Sequence, residues 1–114
     1  MGQFEAGRVI GQHYFENLLD DDGNPAGGYF RGDGIVINWQ NGPLGRGDDR
    51  KAANGAFIET VILAAIRRLE FYNEGKFRCR ENSLAITHLE EALHWCQART
   101  ADREARDVEG THTI

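Results

Sequence analysis

Three arginines with helical spacing are the first feature of this sequence that could do chemistry. Arg99, Arg103 and Arg106 stand at positions i, i+4 and i+7, so a helix would carry their guanidinium groups on one face. A guanidinium group is planar and has five N–H donors, which suits bidentate binding of phosphate. The alternative is a solvated face in which Asp102 and Glu104 are salt-bridge partners. Spacing alone leaves both interpretations open.

A second candidate is the segment from Phe71 to Asn82, which holds three aromatic side chains and three cations within twelve residues. Aromatic rings stack on bases and an Asn side chain reads a base edge, so this segment could hold a nucleotide. In the alternative, Phe71 and Phe77 cap the core of a helical hairpin and Asn82 caps its second helix.

A glycine-rich stretch at residues 41–55 is the third candidate. It has no periodicity, and long loops of this kind are usually functional or disordered. Its backbone N–H groups together with Arg46 could hold a phosphate, but the stretch matches neither the P-loop nor the dinucleotide fingerprint. Its signal for an anion site is weaker than that of the arginine triplet.

The residues that catalysis or a metal centre would need are missing from the pattern. Glu91 and His94 form a single Glu-x-x-His pair, whereas di-iron bundles need two pairs and further Glu ligands. Cys79, His88 and Cys96 do not complete a zinc-binding spacing with His94. No Ser or Cys nucleophile is accompanied by a base and an orienting acid. We therefore predict a protein that is not an enzyme and that uses neither a metal nor a cofactor.

The composition indicates one small acidic domain. At 114 residues with 40% hydrophobic content, the chain can build one modest core, and we predict a single domain over residues 1–114. The unfavourable surface-to-volume ratio at this size favours self-association. A formal net charge of −5 disfavours binding to polymeric nucleic acid, which needs a basic field. The sequence also lacks a signal peptide and a membrane-spanning apolar run, which predicts no membrane partner and a cytosolic protein with reduced thiols.

Two patterns divide the chain near residue 55. Before it, glycines punctuate short apolar runs, and we predict a small antiparallel sheet with candidate strands at 8–10, 13–19 and 34–40. A turn-rich segment is expected at 20–28. After residue 55, apolar residues recur at helical spacing in two stripes. The predicted fold class is α+β: a small N-terminal antiparallel β-sheet within residues 1–55, then a C-terminal antiparallel α-helical hairpin over residues 56–107.

The sequence also predicts where the two helices of the hairpin begin and end. The first helix should run from Ala56 to about Asn73, with Asn54 as its N-cap and Gly75 ending it. A short connection then leads to a second, antiparallel helix of roughly 25 residues. The C-terminal tail, residues 108–114, has no periodicity, and we expect it to be unstructured unless a partner holds it.

Several blocks of the C-terminal half resemble a known family. They are Asn54–Phe57, Arg68–Tyr72, Phe77–Thr87 and the stretch from Arg99 to His112. In these blocks the chain resembles the phage Thoeris anti-defence sponge family, which shares its hairpin domain with the anti-CBASS cyclic-nucleotide sponges. The Cys-Arg-Glu-Asn block and the Val-Glu-Gly-Thr ending are the most specific parts. Many phage proteins of unassigned role share the hairpin.

The resemblance implies a protein that sequesters an immune messenger in the cytoplasm of the infected bacterial host. The messenger is a cyclic ADP-ribose isomer, and a sponge binds it without cleaving it. In that family the working unit is a homodimer that can assemble further into a hexamer, with the ligand between protomers. Relatives also bind cyclic di- or trinucleotides at a separate site, for which no motif is found here. The alternative is a structural or protein-interaction hairpin module that binds no nucleotide.

The resemblance also implies six ligand-binding residues: Phe71, Tyr72, Asn82, Arg99, Arg103 and Arg46. One of the two rings would stack on adenine, and the Asn side chain would meet the base edge or the ribose. Arg99 and Arg103 would hold the pyrophosphate, with Arg46 as an additional clamp. A helix of this length separates the aromatic segment from the arginines by roughly 35 Å, so the pocket would need an antiparallel partner chain.

Overall fold

A computed structural model describes residues 10–114 of the chain. The strands and helices follow in the order β1 (Tyr14–Leu19), β2 (Pro25–Gly32), β3 (Ile35–Asn38), α1 (Ile58–Glu74) and α2 (Arg80–Ala105). The predicted α+β class is therefore confirmed, with a three-stranded antiparallel sheet before a pair of helices.

The chain forms two compact units. The sheet unit runs to Leu44 and also includes Lys51–Ala56, whereas the helical unit consists of Gly45–Arg50 and Phe57–Ile114. The loop predicted at residues 41–55 is thus divided between the two units. Its middle part, which contains a short 3-10 turn at Gly47–Asp49, belongs to the helical unit.

The sheet has the order β1-β2-β3, with both neighbouring pairs antiparallel. Phe15 lies opposite Phe30, which lies opposite Ile37, so one sheet face carries a row of apolar side chains. A two-residue loop with Gly34 in the left-handed region joins β2 to β3, as Asp-Gly hairpins do. The strands predicted at 13–19 and 34–40 are confirmed with slightly shorter bounds. Of the strand predicted at 8–10, residues 8 and 9 lie outside the described part of the chain.

The central strand, β2, was missed, because its first four residues fall within the segment predicted as a turn at 20–28. Gly27 and Gly28 have positive φ angles of 86° and 123°, and paired glycines indicate a turn when only the sequence is seen. In the structure, however, both glycines lie within strand β2. A Cβ atom at Gly28 would overlap the carbonyl oxygen of Glu16, so glycine permits the close approach of β1 to β2.

The first helix begins two residues later than predicted, and its N-cap is not Asn54. The N-cap is Phe57, whose side chain makes no capping hydrogen bond. The Asn54 side chain instead bridges to Asn41, donating from Nδ2 to the carbonyl oxygen at 2.9 Å and accepting from the amide at 2.8 Å. Gly75 does end the helix, but with φ −109° rather than in the left-handed region. Helix α1 therefore starts without the side-chain cap that the sequence suggested.

The second helix has 26 residues, which confirms the predicted length. Its N-cap is Cys79, whose Sγ atom accepts a hydrogen bond from the amide of Asn82. The interpretation of Asn82 as the N-cap is therefore wrong, since Asn82 lies inside the first turn of the helix. Neither helix is both long and apolar enough to cross a membrane, as far as residues 10–114 are concerned.

Few apolar side chains are buried within residues 10–114. In the described range, Ile66 at 3% exposure is the one hydrophobic side chain that is buried. Phe71 and Phe77 keep 60% and 70% of their surface exposed, so the interpretation that they cap the hairpin core is wrong. Trp95 on α2 is 71% exposed. Large exposed apolar side chains of this kind are typical of surfaces that another molecule covers.

Replacing Gly28 by alanine should destabilise the sheet unit, because the new Cβ atom would overlap Glu16 and the φ angle is unfavourable. We expect a loss of at least about 2 kcal/mol in the free energy of unfolding, measured by urea denaturation. Gly34→Ala is the matched control: φ is also positive there, but nothing lies within 4 Å of the added Cβ atom. Its cost should be about 1 kcal/mol. Equal losses for both variants would contradict the close-approach argument.

Candidate functional site

Residues 71–82, which comprise the end of α1, the connection between the helices and the start of α2, are called the aromatic turn. Phe71 and Tyr72 lie on the last turn of α1, with ring centroids 5.9 Å apart and planes inclined by 52°. With Phe77 they form the walls of an open cavity of about 340 Å³, which Glu74, Gly75 and Lys76 also line. Ligand sites usually have volumes of about 300–1,000 Å³ and mostly apolar walls, so this cavity is at the lower end of that range.

Cations lie over the rings of the aromatic turn. The guanidinium carbon of Arg68 is 4.9 Å from the centroids of both Phe71 and Tyr72. Its Nε–H also donates to the Tyr72 hydroxyl at 3.2 Å. The Lys76 ammonium lies 5.8 Å from the centroid of Phe77. Apolar ring faces with positive charge beside them fit a ligand that is both aromatic and anionic.

Asn73 holds the aromatic turn in shape. Its Oδ1 accepts the amide of Cys79 at 3.1 Å and its Nδ2 donates to the Ser83 hydroxyl at 2.9 Å, which ties the end of α1 to the start of α2. Asn82 adds a hydrogen bond from Nδ2 to the carbonyl oxygen of Phe77 at 3.2 Å. This bond orients the Asn82 amide and leaves its Oδ1 without a hydrogen bond to the described residues.

The opposite end of α2 carries a buried arginine. Arg103 is 9% exposed, and its guanidinium group donates to three backbone carbonyls of the tail: those of Val108 (3.0 Å), Thr111 (2.9 Å) and Thr113 (2.5 Å). The tail therefore does not need a partner chain to be ordered, which corrects the expectation from the sequence. A buried guanidinium group requires such acceptors, so Arg103 and the tail order each other.

Two arginines of the loop Gly45–Arg50 reach the same tail. Arg50 donates from Nη1 to both carboxylate oxygens of Glu109, at 2.7 and 2.9 Å. Arg46 donates to the Glu109 carbonyl oxygen at 2.9 Å and lies 3.8 Å from its carboxylate. The amide of Gly45 donates to the carbonyl oxygen of Gly110 at 2.7 Å. We call Arg46, Arg50 and Arg103, with residues 107–114, the arginine end.

The three arginines predicted on one helical face have different surroundings. Arg99 is exposed and makes no hydrogen bond or ion pair within residues 10–114. Arg103 is buried against the tail, as described above. Arg106 is the C-cap of α2, where it pairs with Asp102 at 3.1 Å and donates to the carbonyl oxygen of Ile114 at 2.7 Å. Of these three, Arg99 is the cation that is available to an external anion.

The six sequence-predicted site residues are therefore found at two ends of one helix. Phe71, Tyr72 and Asn82 lie together at the aromatic turn. Arg46 and Arg103 lie together at the arginine end, and Arg99 stands one turn before Arg103. Seventeen residues of helix, or about 26 Å, separate Asn82 from Arg99 along the axis. The chain by itself does not bring the two groups together.

Three residues of these two groups were missed by sequence reasoning. Arg68 lies three and four residues before the rings that it covers, and this spacing could have revealed it. Asn73 could have been noticed as a polar residue beside the turn. Arg50 had no usable signal, because its partner Glu109 is 59 residues away. Nowhere in the described range do three or more His, Cys, Asp or Glu side chains form a group that could hold a metal ion.

A family model described as the Acb2/Tad1 hairpin domain matches residues 32–101, which is more than half of the chain. The chain therefore belongs to the Acb2/Tad1 hairpin-domain family. It is also similar to "Thoeris anti-defense 1" of Bacillus phage SBSphiJ7, with 47% identity over 83 residues. This match covers 73% of the present chain and 56% of the relative. The chain thus aligns with little more than half of that relative's length.

The ion pairs of the arginine end should make stability depend on pH. The hydrogen bond from Arg50, with the nearby charges of Arg50, Arg46 and Arg103, lowers the pKa of Glu109 below its usual value, although burial acts to raise it. The ionised carboxylate is therefore favoured in the folded state. Its stabilising contribution should be complete above the unfolded-state pKa of about 4.3 and should be lost as the pH falls through the lowered folded-state value.

Glu109→Gln should consequently lower the free energy of unfolding at pH 7, and the difference from the unsubstituted protein should shrink as the medium is acidified below about pH 4. Urea denaturation at a series of pH values measures this. Glu104→Gln, at an exposed carboxylate near the end of α2, is the matched control and should show no such difference. A destabilisation by Glu109→Gln that is independent of pH would argue against the ion pair as its cause.

Proposed function

We propose that this chain is a phage anti-Thoeris protein that binds a cyclic ADP-ribose-type signalling nucleotide and sequesters it without cleaving it. It acts in the cytoplasm of the infected bacterial host, where removal of the messenger leaves the downstream effector inactive. Membership of the Acb2/Tad1 hairpin-domain family and the similarity to a protein named "Thoeris anti-defense 1" support the anti-defence role. The nucleotide as ligand is supported by the chemistry of the aromatic turn.

The observation that carries the proposal is the open cavity of the aromatic turn with its rings and cations. Phe71, Tyr72 and Phe77 offer apolar faces, and base stacking on such faces contributes about 1–3 kcal/mol per base. Arg68 and Lys76 add positive charge beside these rings. The unpaired Oδ1 of Asn82 is an acceptor for the exocyclic amino group of adenine. A purine ring with phosphates attached satisfies all three features.

The arginines at the far end of α2 complement the rest of such a ligand. Arg99 is exposed and has no partner in the described range, and Arg46 keeps 38% of its side chain exposed. Both can donate charge-assisted hydrogen bonds to a pyrophosphate. Arg103 contributes either directly or by holding the tail. The whole chain is acidic at −5, so these cations give a local site for an anion rather than a surface for polymeric nucleic acid.

The two halves of the pocket are contributed by two chains of a homodimer. About 26 Å of helix separates Asn82 from Arg99 in one chain, whereas an antiparallel partner would place its arginines beside the aromatic turn. The many exposed apolar side chains, Trp95 among them, favour a protein that associates with itself. Assembly into a hexamer and a second site for cyclic di- or trinucleotides remain part of the family hypothesis.

Those same exposed side chains also support the second candidate, a structural or protein-interaction module without nucleotide binding. Such a module would form the same dimer, and its arginines would meet an acidic protein surface. Catalysis on a cyclic nucleotide is the third possibility, and it would produce a new compound with time. A sponge retains the ligand unaltered, an interaction module retains none, and an enzyme releases an altered compound.

A retention experiment tests the proposal directly. The purified protein is incubated with cyclic ADP-ribose isomers and freed of unbound ligand, then it is denatured by heat and the released ligand is identified by chromatography. We expect one of the isomers to be retained and to be released unaltered. Asn82→Ala and Arg99→Ala should each weaken binding about tenfold or more, because each removes a hydrogen bond to a bound ligand. Arg67→Ala is the control, at an arginine of α1 that is paired with Glu70 and lies outside the proposed pocket.

If the unsubstituted protein retains no ligand, the interaction-module hypothesis replaces the sponge. If it releases a changed compound, the protein is an enzyme. Retention that is equally strong in the Asn82→Ala and Arg67→Ala variants would mean that the ligand binds somewhere other than the aromatic turn.

Complementation tests the dimeric pocket. In a heterodimer of Asn82→Ala and Arg99→Ala chains, one pocket carries both substitutions and the other carries neither. Co-expression with random pairing should therefore restore about one quarter of the sites to full affinity, although each variant alone binds weakly. Calorimetric titration of the co-expressed mixture gives the fraction of tight sites. No restored sites, despite formation of the heterodimer, would show that the turn and the arginines of one pocket come from the same chain.

A further inference from the structure

Hydrogen bonds from both helix α2 and the loop Gly45–Arg50 hold the tail at the arginine end. Arg103 holds the carbonyls of Val108, Thr111 and Thr113 from the helix side. The amide of Gly45 holds the carbonyl of Gly110, and Arg50 holds the carboxylate of Glu109, both from the loop side. The tail therefore lies between the end of α2 and the loop Gly45–Arg50, and it joins them.

The backbone at this place has a defined shape. Asp107 adopts φ 59°, an uncommon value for a residue other than glycine, and Gly110 adopts φ 78°. A Cβ atom at Gly110 would overlap the carbonyl oxygen of Gly45. Such conformations persist where surrounding contacts determine them, and they are often found at ligand-binding places. The tail is therefore fitted closely to the loop.

The distances assign different partners to the two loop arginines. Arg50 donates to both oxygens of the Glu109 carboxylate within 2.9 Å, whereas Arg46 is 3.8 Å from that carboxylate. Arg50 thus neutralises Glu109. Arg46 donates to a neutral acceptor, the Glu109 carbonyl oxygen at 2.9 Å, and it forms a longer ion pair, at 3.6 Å, with the exposed carboxylate of Asp107. Its guanidinium group is oriented, yet most of its N–H donors are left for another acceptor.

We propose that Glu109, Arg50 and Arg103 are positioning residues that orient the Arg46 guanidinium group for an external phosphate. This inference rests on the proposed function, in which Arg46 is a pyrophosphate clamp. Arg103 orders the tail, Arg50 removes the competing charge of Glu109, and the Glu109 carbonyl oxygen fixes Arg46. An oriented donor binds more tightly than a mobile one, because its rotamer freedom is lost before the ligand arrives.

An opposite arrangement can be built from the same residues, and it predicts the opposite result. If the Glu109 carboxylate acted as an internal anion that competes with the ligand, its removal would strengthen binding. The 2.7 Å bond to Arg50, compared with 3.8 Å to Arg46, favours positioning. The sign of the change in Kd on removing the charge distinguishes the two arrangements.

The first arm of the test needs no ligand. In Glu109→Gln, the amide of Gly45 should exchange with solvent faster than in the unsubstituted protein, because its bond to Gly110 depends on the placed tail. The amides within α1 and α2 should stay protected, and Glu104→Gln should leave Gly45 unchanged. Unaltered protection of Gly45 in Glu109→Gln would overturn the inference. Arg50→Gln removes the same ion pair from the loop side, should Glu109→Gln fail to fold.

The second arm measures Kd for a cyclic ADP-ribose isomer by calorimetry. Glu109→Gln should weaken binding about tenfold. In the Arg46→Ala background the same substitution should change Kd less than about twofold, since Arg46 is the group being positioned. A merely destabilised protein would not show this dependence on Arg46.

Three results of the Kd measurements would contradict the positioning role. A Kd for Glu109→Gln equal to that of Glu104→Gln, or tighter than that of the unsubstituted protein, would overturn the positioning role while the proposed function stands. Equal effects of Glu109→Gln with and without Arg46 would overturn it as well. Failure of the unsubstituted protein to bind any isomer would overturn the proposed function and this inference together.

Discussion

Arg103 is a charged side chain with 9% of its surface exposed, and a guanidinium group is tolerated in such a position only when acceptors surround it. Three carbonyls of the tail are those acceptors. The same tail also presents the Glu109 carboxylate to Arg50 and the Gly110 carbonyl oxygen to the amide of Gly45. One buried charge therefore requires an ordered tail, and that tail also contacts the loop Gly45–Arg50.

The length of α2 is the second constraint. One uninterrupted helix of 26 residues extends about 39 Å, so the groups at its two ends act on different regions of space. A ligand of nucleotide size cannot touch both ends of the same helix. The aromatic turn has apolar walls with cations beside them, whereas the arginine end has oriented donors. Their chemistry is complementary, and an antiparallel second chain is the simplest geometry that would unite them.

The helices were predictable because their signals are local. Apolar residues spaced three and four apart determine where a helix can bury its stripe, and the positions of α1 and α2 follow from that spacing. The start of α1 was not predictable, because Asn54 is a good capping residue that instead bridges to Asn41 in the sheet unit. Strand β2 was missed for a similar reason. Gly27 and Gly28 indicate a turn locally, and their use in the sheet depends on the approach of β1.

By itself, the sequence determined the α+β class, the helical hairpin and the aromatic residues of its connection, since all of these depend on residues that are near one another in the chain. The tertiary structure decided which arginines are available. Arg99, Arg103 and Arg106 look equivalent by spacing, yet one is exposed, one is buried and one caps the helix. Arg103 and Arg106 differ from Arg99 because they contact the tail, which also contacts a loop some sixty residues away in sequence. Helical periodicity carries no information about partners at such separations, because it records only which side chains share a face.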